Sequence, residues 1–412
     1  MAVGKHSRQV VGLDIGSTKV SAVVGEVTPE GDLEIIGIGS RPSKGTRKGV
    51  IVDINSAVDA ILKAVEDAEM MAGTRVDTVY VGIGGGQVDS LTTEASMELA
   101  TKEVTQRELR QVLEMARSQT PSDQHETLHV MPIEYRLDEE VGLSNPMGRT
   151  GTKLGVWAQV ITASVPAIEA LMKGLDRAKL EVQEIVAQPL ASARAVLTPD
   201  ERDMGVALLD IGGGTTDIIV FGAGTVRHVS SLAVGGNHVT HDLAVGLRTP
   251  VTEAERIKKQ CGRALQSLIN ADDLIDVQGL GAKEMQPIPR TLIGEIIECR
   301  VEEIFALALH RIQQQGLHGG LSAGVVITGG ASVMPGMTQA AEAVFERPVR
   351  LGLPVQISGL TDLVNTPMYA TGVGLALFGR DRLLESEASH SRHPGVSEAF
   401  RRMTTWVQKF FE

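Results

Sequence analysis

Large aromatic side chains are scarce in this chain: its 412 residues include 2 Trp, 3 Tyr and 7 Phe. Four of those twelve, Phe400, Trp406, Phe410 and Phe411, fall in the last 17 residues, where a soluble protein usually frays. Cysteine is scarcer still. Cys261 and Cys299 form no CxxC or Cys/His spacing, so neither a disulfide framework nor a zinc site is indicated, and a reducing cytosol is the expected compartment. Basic charge is also short: 39 Lys and Arg against 51 Asp and Glu leave a net charge of -12, which argues against a nucleic-acid binder. No run of ~18 apolar residues exists to span a bilayer, and the start, MAVGKHSRQVVGLDIG, lacks the apolar centre of a signal peptide. The expectation is a cytosolic chain that remains free to lie on a membrane surface. There is no GxGxxG in a dinucleotide context and no GxxxxGK[ST], so Rossmann and P-loop readings are excluded.

What is present is a repeated pattern. VVGLDIGSTKVSAVVGEV at 10 to 27 and GVALLDIGGGTTDIIVFGAGTV at 205 to 226 each carry an apolar run, Asp-Ile-Gly, a small polar turn and a second apolar run. Each reads as two strands joined by a tight Gly-rich turn. Half the chain separates them, so two related halves are expected, more than one core can organise at this length. Apolar periodicity predicts helices over 55 to 73, with Asn55 as cap, and over 105 to 119, 165 to 179, 188 to 197, 252 to 269, 290 to 315 and 336 to 346. Strands are expected at 33 to 40, 76 to 84, 156 to 163, 323 to 328 and 349 to 351. Alternation of strand and helix predicts α/β layers.

Three Gly-rich strand ends carry candidate chemistry. In DIGGGTTD, Gly212, Gly213 and Gly214 let the backbone turn tightly and expose N–H groups to an anion, while Thr215 and Thr216 add hydroxyl donors. Asp210 ends its strand and could hold Mg²⁺ through water, because that ion keeps much of its hydration shell. In DIGSTK, Gly16, Ser17, Thr18 and Lys19 offer phosphate contacts beside Asp14, although a hairpin turn with exposed polar residues accounts for them equally well. Together, two such hairpins could clamp a polyphosphate, with Asp14 and Asp210 facing one metal ion. The third, VVITGGASVMPGM, places Gly329, Gly330 and Ser332 at a strand end that could approach a flat ligand or serve as a plain strand-to-helix turn.

The order Asp14 hairpin, QPLASA at 188 to 193, Asp210 hairpin, GGAS at 329 to 332 and YATGVGLAL at 369 to 377 resembles the actin, heat-shock-70 and sugar-kinase ATPase superfamily. EAERIKKQCGRAL resembles the adenine-side helix of bacterial actins, which implies that Glu255 and Lys258 lie near the ribose and base. More closely, GLDIGSTKVSAVVGE, KGVIVDI at 48 to 54 and GLTDLVNTPMYATGVGLAL at 359 to 377 resemble the FtsA family of bacterial cell-division proteins. The resemblance implies an actin-like two-domain ATPase fold with two small inserted subdomains and a C-terminal amphipathic helix, binding ATP and Mg²⁺. Its implied limits are a first large subdomain at 1 to 85, an insert at 86 to 163 and a return at 164 to 199. A second large subdomain follows at 200 to 227, with an insert at 228 to 304 and a return at 305 to 366. A connecting helix at 367 to 379, a flexible linker at 380 to 395 and a membrane-targeting helix at 396 to 412 complete it.

Family position implies that Gln188 orients the attacking water, though it could equally cap its helix. Gln is a poor general base, so at most slow ATP hydrolysis is expected. In such proteins the second insert receives the C-terminal peptide of the tubulin-like protein FtsZ. Arg290 and Arg300 are the candidates to meet its acidic groups, unless they pair within the helix with Glu298 or Glu303. Implied partners also include self-association into filaments, later divisome membrane proteins and the inner face of the cytoplasmic membrane at the septum. A pilus-assembly ATP-binding protein of the same fold and a small-molecule kinase remain alternatives. A chaperone fails on length, since about 30 residues remain after Leu377.

The C-terminal segment fits a lipid surface by geometry. At ~100° per residue, Val396, Ala399, Phe400, Met403, Trp406, Val407, Phe410 and Phe411 share an arc of roughly 140° opposite Arg401, Arg402 and Lys409. Its side chains sum to +1, so apolar insertion outweighs attraction to anionic lipid. Docking on the protein's own core is the alternative, made less attractive by the polar stretch RDRLLESEASHSRHPG before it.

Overall fold

A computed structural model describes residues 8–100, 102–119, 124–281 and 285–390. The membrane-facing candidates Phe400, Met403, Trp406, Val407, Phe410 and Phe411 lie outside the described residues. The chain opens with a meander of β1 (Gln9–Ile15), β2 (Lys19–Val27) and β3 (Leu33–Pro42). A small hairpin, β4 (Thr46–Arg47) and β5 (Val50–Ile51), precedes α1 (Ile54–Ala72) and β6 (Thr78–Ile83). Next come β7 (Val88–Glu98), α2 (Gln106–Ser118), β8 (His125–Leu137), β9 (Glu140–Leu143) and β10 (Lys153–Ser164). The chain returns through α3 (Val165–Arg177), β11 (Glu181–Ala187), α4 (Gln188–Val196) and α5 (Pro199–Met204). The second half runs β12 (Val206–Ile211), β13 (Thr216–Gly222), β14 (Thr225–Leu232), α6 (Gly236–Gly246), α7 (Val251–Cys261), β15 (Leu274–Gln278) and β16 (Met285–Pro289). It closes with α8 (Arg290–Gln314), β17 (Val325–Thr328), α9 (Met337–Phe345), β18 (Val349–Leu351), β19 (Ile357–Gly359), α10 (Thr361–Val364) and α11 (Ala370–His390).

The repeat seen in the sequence is a repeat of topology. The first sheet orders β11-β6-β1-β2-β3-β19 and the second β18-β17-β12-β13-β14. In each, an antiparallel meander pairs through its first strand with a parallel strand, β6 beside β1 and β17 beside β12. β1 and β12 are almost wholly buried, which their unbroken apolar runs require of strands covered on both faces. Helices α4 and α11 join the halves and cross at very short range. A Cβ on Gly374 would lie 1.8 Å from the Ala191 carbonyl oxygen, and one on Gly12 would lie 2.3 Å from that of Gly372. β7, β10, β8 and β9 form a separate four-stranded sheet, with α2 on one face and its own core around Val112, Val156 and Val160.

Three local expectations are corrected. Asp53, not Asn55, caps α1: its carboxylate accepts from the N–H of Asn55 at 3.0 Å and of Ser56 at 3.4 Å. The helix expected over 252 to 269 stops at Cys261, where a Cβ on Gly262 would meet the Lys258 carbonyl oxygen at 2.3 Å. The stretch from 380 is not a linker at its start, because α11 continues through it to His390. Charges that looked like solvated linker residues hold that extension in place. Arg382 forms two hydrogen bonds of 2.9 and 2.8 Å to Glu184 and lies 5.0 Å from the Phe378 ring, while Asp381 accepts from Arg194 at 2.9 Å.

Candidate nucleotide site

The two Gly-rich turns meet across the cleft between the halves. A Cβ on Gly213 would fall 2.2 Å from the Thr18 hydroxyl, and one on Gly214 would fall 2.7 Å from that of Ser17. Glycine is required there by close approach of the facing turn. Each turn is closed by its own hydrogen bond, Gly16 N–H to the Lys19 carbonyl and Gly212 N–H to the Thr215 carbonyl, both 2.9 Å. The start of α6 backs the second turn, with Gly236 and Asn237 donating to the carbonyls of Gly212 and Gly213.

One face of α4 organises the carboxylates. Gln188 and Ser192 stand four residues apart and so project together. The Gln188 amide donates to Asp14 at 2.9 Å. Ser192 donates to Asp210, which also accepts from Thr371 of α11 at 3.0 Å. Burial pushes the Asp210 carboxyl above its usual range and nearby Asp14 adds to this, against the Ser192 and Thr371 hydrogen bonds. Asp217, opposite Asp210 in the β12–β13 register, is buried and raised to about 7 by desolvation, with Asp210 and Asp14 contributing. Its carboxylate accepts from the Gly85 N–H at 3.2 Å, tying the second hairpin to the turn that leads into the four-stranded sheet. Gln188 is the first residue of α4 and makes no capping bond; its side chain turns into the cleft, where a Cβ on Gly84 would strike it.

Lys19 lies back along β2, donating to Ser21 at 2.9 Å, 3.5 Å from Asp14 and 4.6 Å from the centre of the Tyr369 ring. Among the described residues no group of three ligating side chains could hold a metal ion directly.

Beyond the second turn, α6, α7 and the loop after β17 come together. Lys258 donates to the Gly236 carbonyl at 3.0 Å and to Thr240 at 2.8 Å, and lies 2.7 Å from Glu255. A Cβ on Gly236 would meet Ala331 at 3.1 Å, so Glu255, Lys258 and the Gly329–Gly330 loop come together. Gly329, at φ +87°, packs against Asp210, whereas Gly330 is exposed.

Some predicted donors are spent elsewhere. Thr216 is fully buried and donates to the Val234 carbonyl at 2.9 Å, so it is no phosphate donor. Ser332 is buried and donates its hydroxyl to the Gly329 carbonyl at 2.7 Å, which fixes the loop. On α8, Arg290 pairs with Asp273 at 2.9 Å and Arg300 grips Asp242 with bonds of 2.6 and 3.0 Å, with Glu303 beside it. Glu298 pairs with neither; it accepts from the Gln266 N–H at 2.7 Å. The two arginines sit ten residues apart, about 15 Å along the helix. Sequence reasoning missed Asp217 and Thr371, although both lie inside motifs it quoted. It also missed His129 of β8, which no motif marks.

A family model described as cell division protein FtsA matches residues 207–374, and one described as an SHS2 domain inserted in FtsA matches residues 85–162. The cell division protein FtsA of Pseudomonas aeruginosa is 39% identical over 100% of this chain and 100% of its own length. That of Escherichia coli strain K12 is 37% identical over 98% of both. Among solved structures, a PilM-PilN type IV pilus biogenesis complex matches at a TM-score of 0.63 and 17% identity, over 90% of this chain and 98% of that one. MreB5 of Spiroplasma citri bound to ADP matches at 0.54 and 16%, over 94% and 99%. These two likenesses concern the fold, mixed α/β and actin-like; the inserted domain rests on the family model over residues 85–162.

Proposed function

The chain belongs to the FtsA family of cell-division proteins, and from that premise we propose that it is an ATP-binding, filament-forming adaptor. It would tether the FtsZ ring to the inner face of the cytoplasmic membrane and recruit later divisome proteins. The observation that carries the nucleotide part is the apposition of the two Gly-rich turns, Gly213 against Thr18 and Gly214 against Ser17. Backbone N–H groups in such turns bind polyphosphate, and Asp14 and Asp210 would hold Mg²⁺ through its water. The base and ribose would lie along Glu255, Lys258 and Gly330. Bound Mg²⁺ would supply charge neutralisation between phosphate oxygens. With Gln188 as the candidate to orient a water, and Gln a poor general base, hydrolysis would be slow and the nucleotide would act chiefly on subunit shape and self-association.

The FtsZ peptide is assigned to the α8 side of the second half. Arg290 and Arg300 already pair with Asp273 and Asp242, so an acidic peptide would have to exchange for those carboxylates. The segment 396–412 would supply membrane attachment. One weak helix per chain becomes firm attachment when polymerised, by avidity. Among the described residues no helix is long and apolar enough to cross a membrane.

Electron microscopy on lipid monolayers tests the reading. With ATP the full chain should form membrane-bound filaments, and a chain lacking 396–412 should form none on the lipid. Filaments on lipid without that segment would refute the anchor. Transfer of the γ-phosphate to a small-molecule acceptor would favour a kinase instead.

A further inference from the structure

The β4–β5 hairpin turns through two residues, Lys48 and Gly49, with φ of +50° and +79°. A two-residue turn with both φ positive favours Asn-Gly, Asp-Gly or Gly-Gly, because those residues enter the left-handed region easily. Lysine stands here against that local preference, and such departures concentrate where a side chain serves something other than the fold. The tip of the hairpin is wedged among three loops of the cleft. Gly49 donates its N–H to the Ser17 hydroxyl at 2.9 Å. A Cβ on Gly214 would lie 3.2 Å from the Lys48 Cα, and one on Gly85 would lie 2.7 Å from the Lys48 carbonyl oxygen. Lys48 therefore sits where the first turn, the second turn and the Gly84–Gly85 turn converge.

Charge points the same way. The cleft holds Asp14, Asp210 and Asp217, and Lys19 already lies beside Asp14. Lys258 is paired with Glu255. Lys48 is exposed and, among the described residues, forms no ion pair. A triphosphate brought to this acidic cleft needs a further cation near its outer end, and a lysine on a flexible stem suits a phosphate as a point charge.

We propose that Lys48 is a third phosphate-binding element, whose ammonium group engages the terminal phosphate of a nucleoside triphosphate held between the two Gly-rich turns. The proposal rests on the nucleotide reading above and adds to it a discrimination of triphosphate from diphosphate. The test is binding, measured by titration of the full chain with Mg-ATP and with Mg-ADP. Lys48→Asn suits the turn better than lysine and removes the cation, so it separates charge from fold. It should bind ATP about tenfold more weakly with ADP affinity unchanged, while Lys48→Arg stays within about twofold of the parent for both. Equal ATP affinity in parent and Lys48→Asn, or an equal loss for ATP and ADP, would overturn the role of Lys48 while leaving the nucleotide site standing. A parent chain that binds neither nucleotide would overturn both.

Discussion

His129 shows what one buried side chain can do at a junction. It stands on β8 of the four-stranded sheet, yet its Nε2 accepts from the Ala187 N–H at 3.2 Å, directly before Gln188 begins α4. Its ring meets Phe378 of α11 edge-on, with centroids 6.2 Å apart. Burial pushes its pKa down to about 3, with Arg382 and Arg117 adding to the shift, so the ring is neutral in the fold. A folded-state value below the unfolded one means that the unfolded chain binds the extra proton first. The stabilising contribution is complete above about pH 6.5 and is lost as pH falls toward 3. At pH 5 the loss should be about 2 kcal/mol. Urea denaturation at pH 7.5 and 5 should show it in the parent. His129→Gln, which keeps an acceptor for Ala187, should lack that part of the pH dependence; an unchanged dependence would contradict the assignment.

At the scale of elements, the crossing of α4 and α11 carries the alignment of the cleft. Ser192 and Thr371, one from each helix, meet at 3.0 Å and both hold Asp210. That meeting requires glycine at 374, where the Ala191 carbonyl is closest. Gly374→Ala should therefore destabilise by about 1 to 3 kcal/mol, the usual effect of overpacking a tight contact. It should also weaken nucleotide binding by separating Ser192 from Asp210. Thermal unfolding together with an ATP titration checks both outcomes. The elements that pair sequence neighbours were legible beforehand. The DIGSTK and DIGGGTTD hairpins announce themselves because the turn and both strands are contiguous, and α1, α3 and α8 follow from apolar period. The partners of Arg382, Thr216 and Ser332 were not legible. Glu184 lies 198 residues from Arg382, and the Val234 and Gly329 carbonyls that take the two hydroxyls are backbone atoms, which carry no sequence signal. For the same reason the stretch after 379 read as linker: its charges look solvated until the sheet beneath supplies their counter-ions.

Among the described residues, two sheets that share a five-strand order, the first extended by β19, face a common cleft, with a further sheet fastened to both halves. To the second half that fastening runs through Gly85 to Asp217 and through Ser90, whose hydroxyl donates to the Val229 carbonyl at 2.7 Å and accepts its N–H at 2.9 Å, and to the first half through His129, which accepts from the Ala187 N–H. At this scale belongs the segment 396–412, whose role is read from residue order alone. In liposome flotation the full chain should float, and a chain ending at 395 should stay in the dense fraction. Trp406→Glu should reproduce the loss, because one charge on the apolar arc opposes insertion. Exchanges among Phe400, Met403, Val407, Phe410 and Phe411 should be tolerated. The central claim, however, is that the two Gly-rich turns hold one nucleotide between them. It is tested most directly by titrating a fluorescent ATP analogue into the parent chain and into Gly213→Val, whose side chain must displace Thr18. Saturable binding by the parent, at least tenfold weaker in the variant with its thermal unfolding still cooperative, is the predicted result. Equal affinity in the two chains would contradict it.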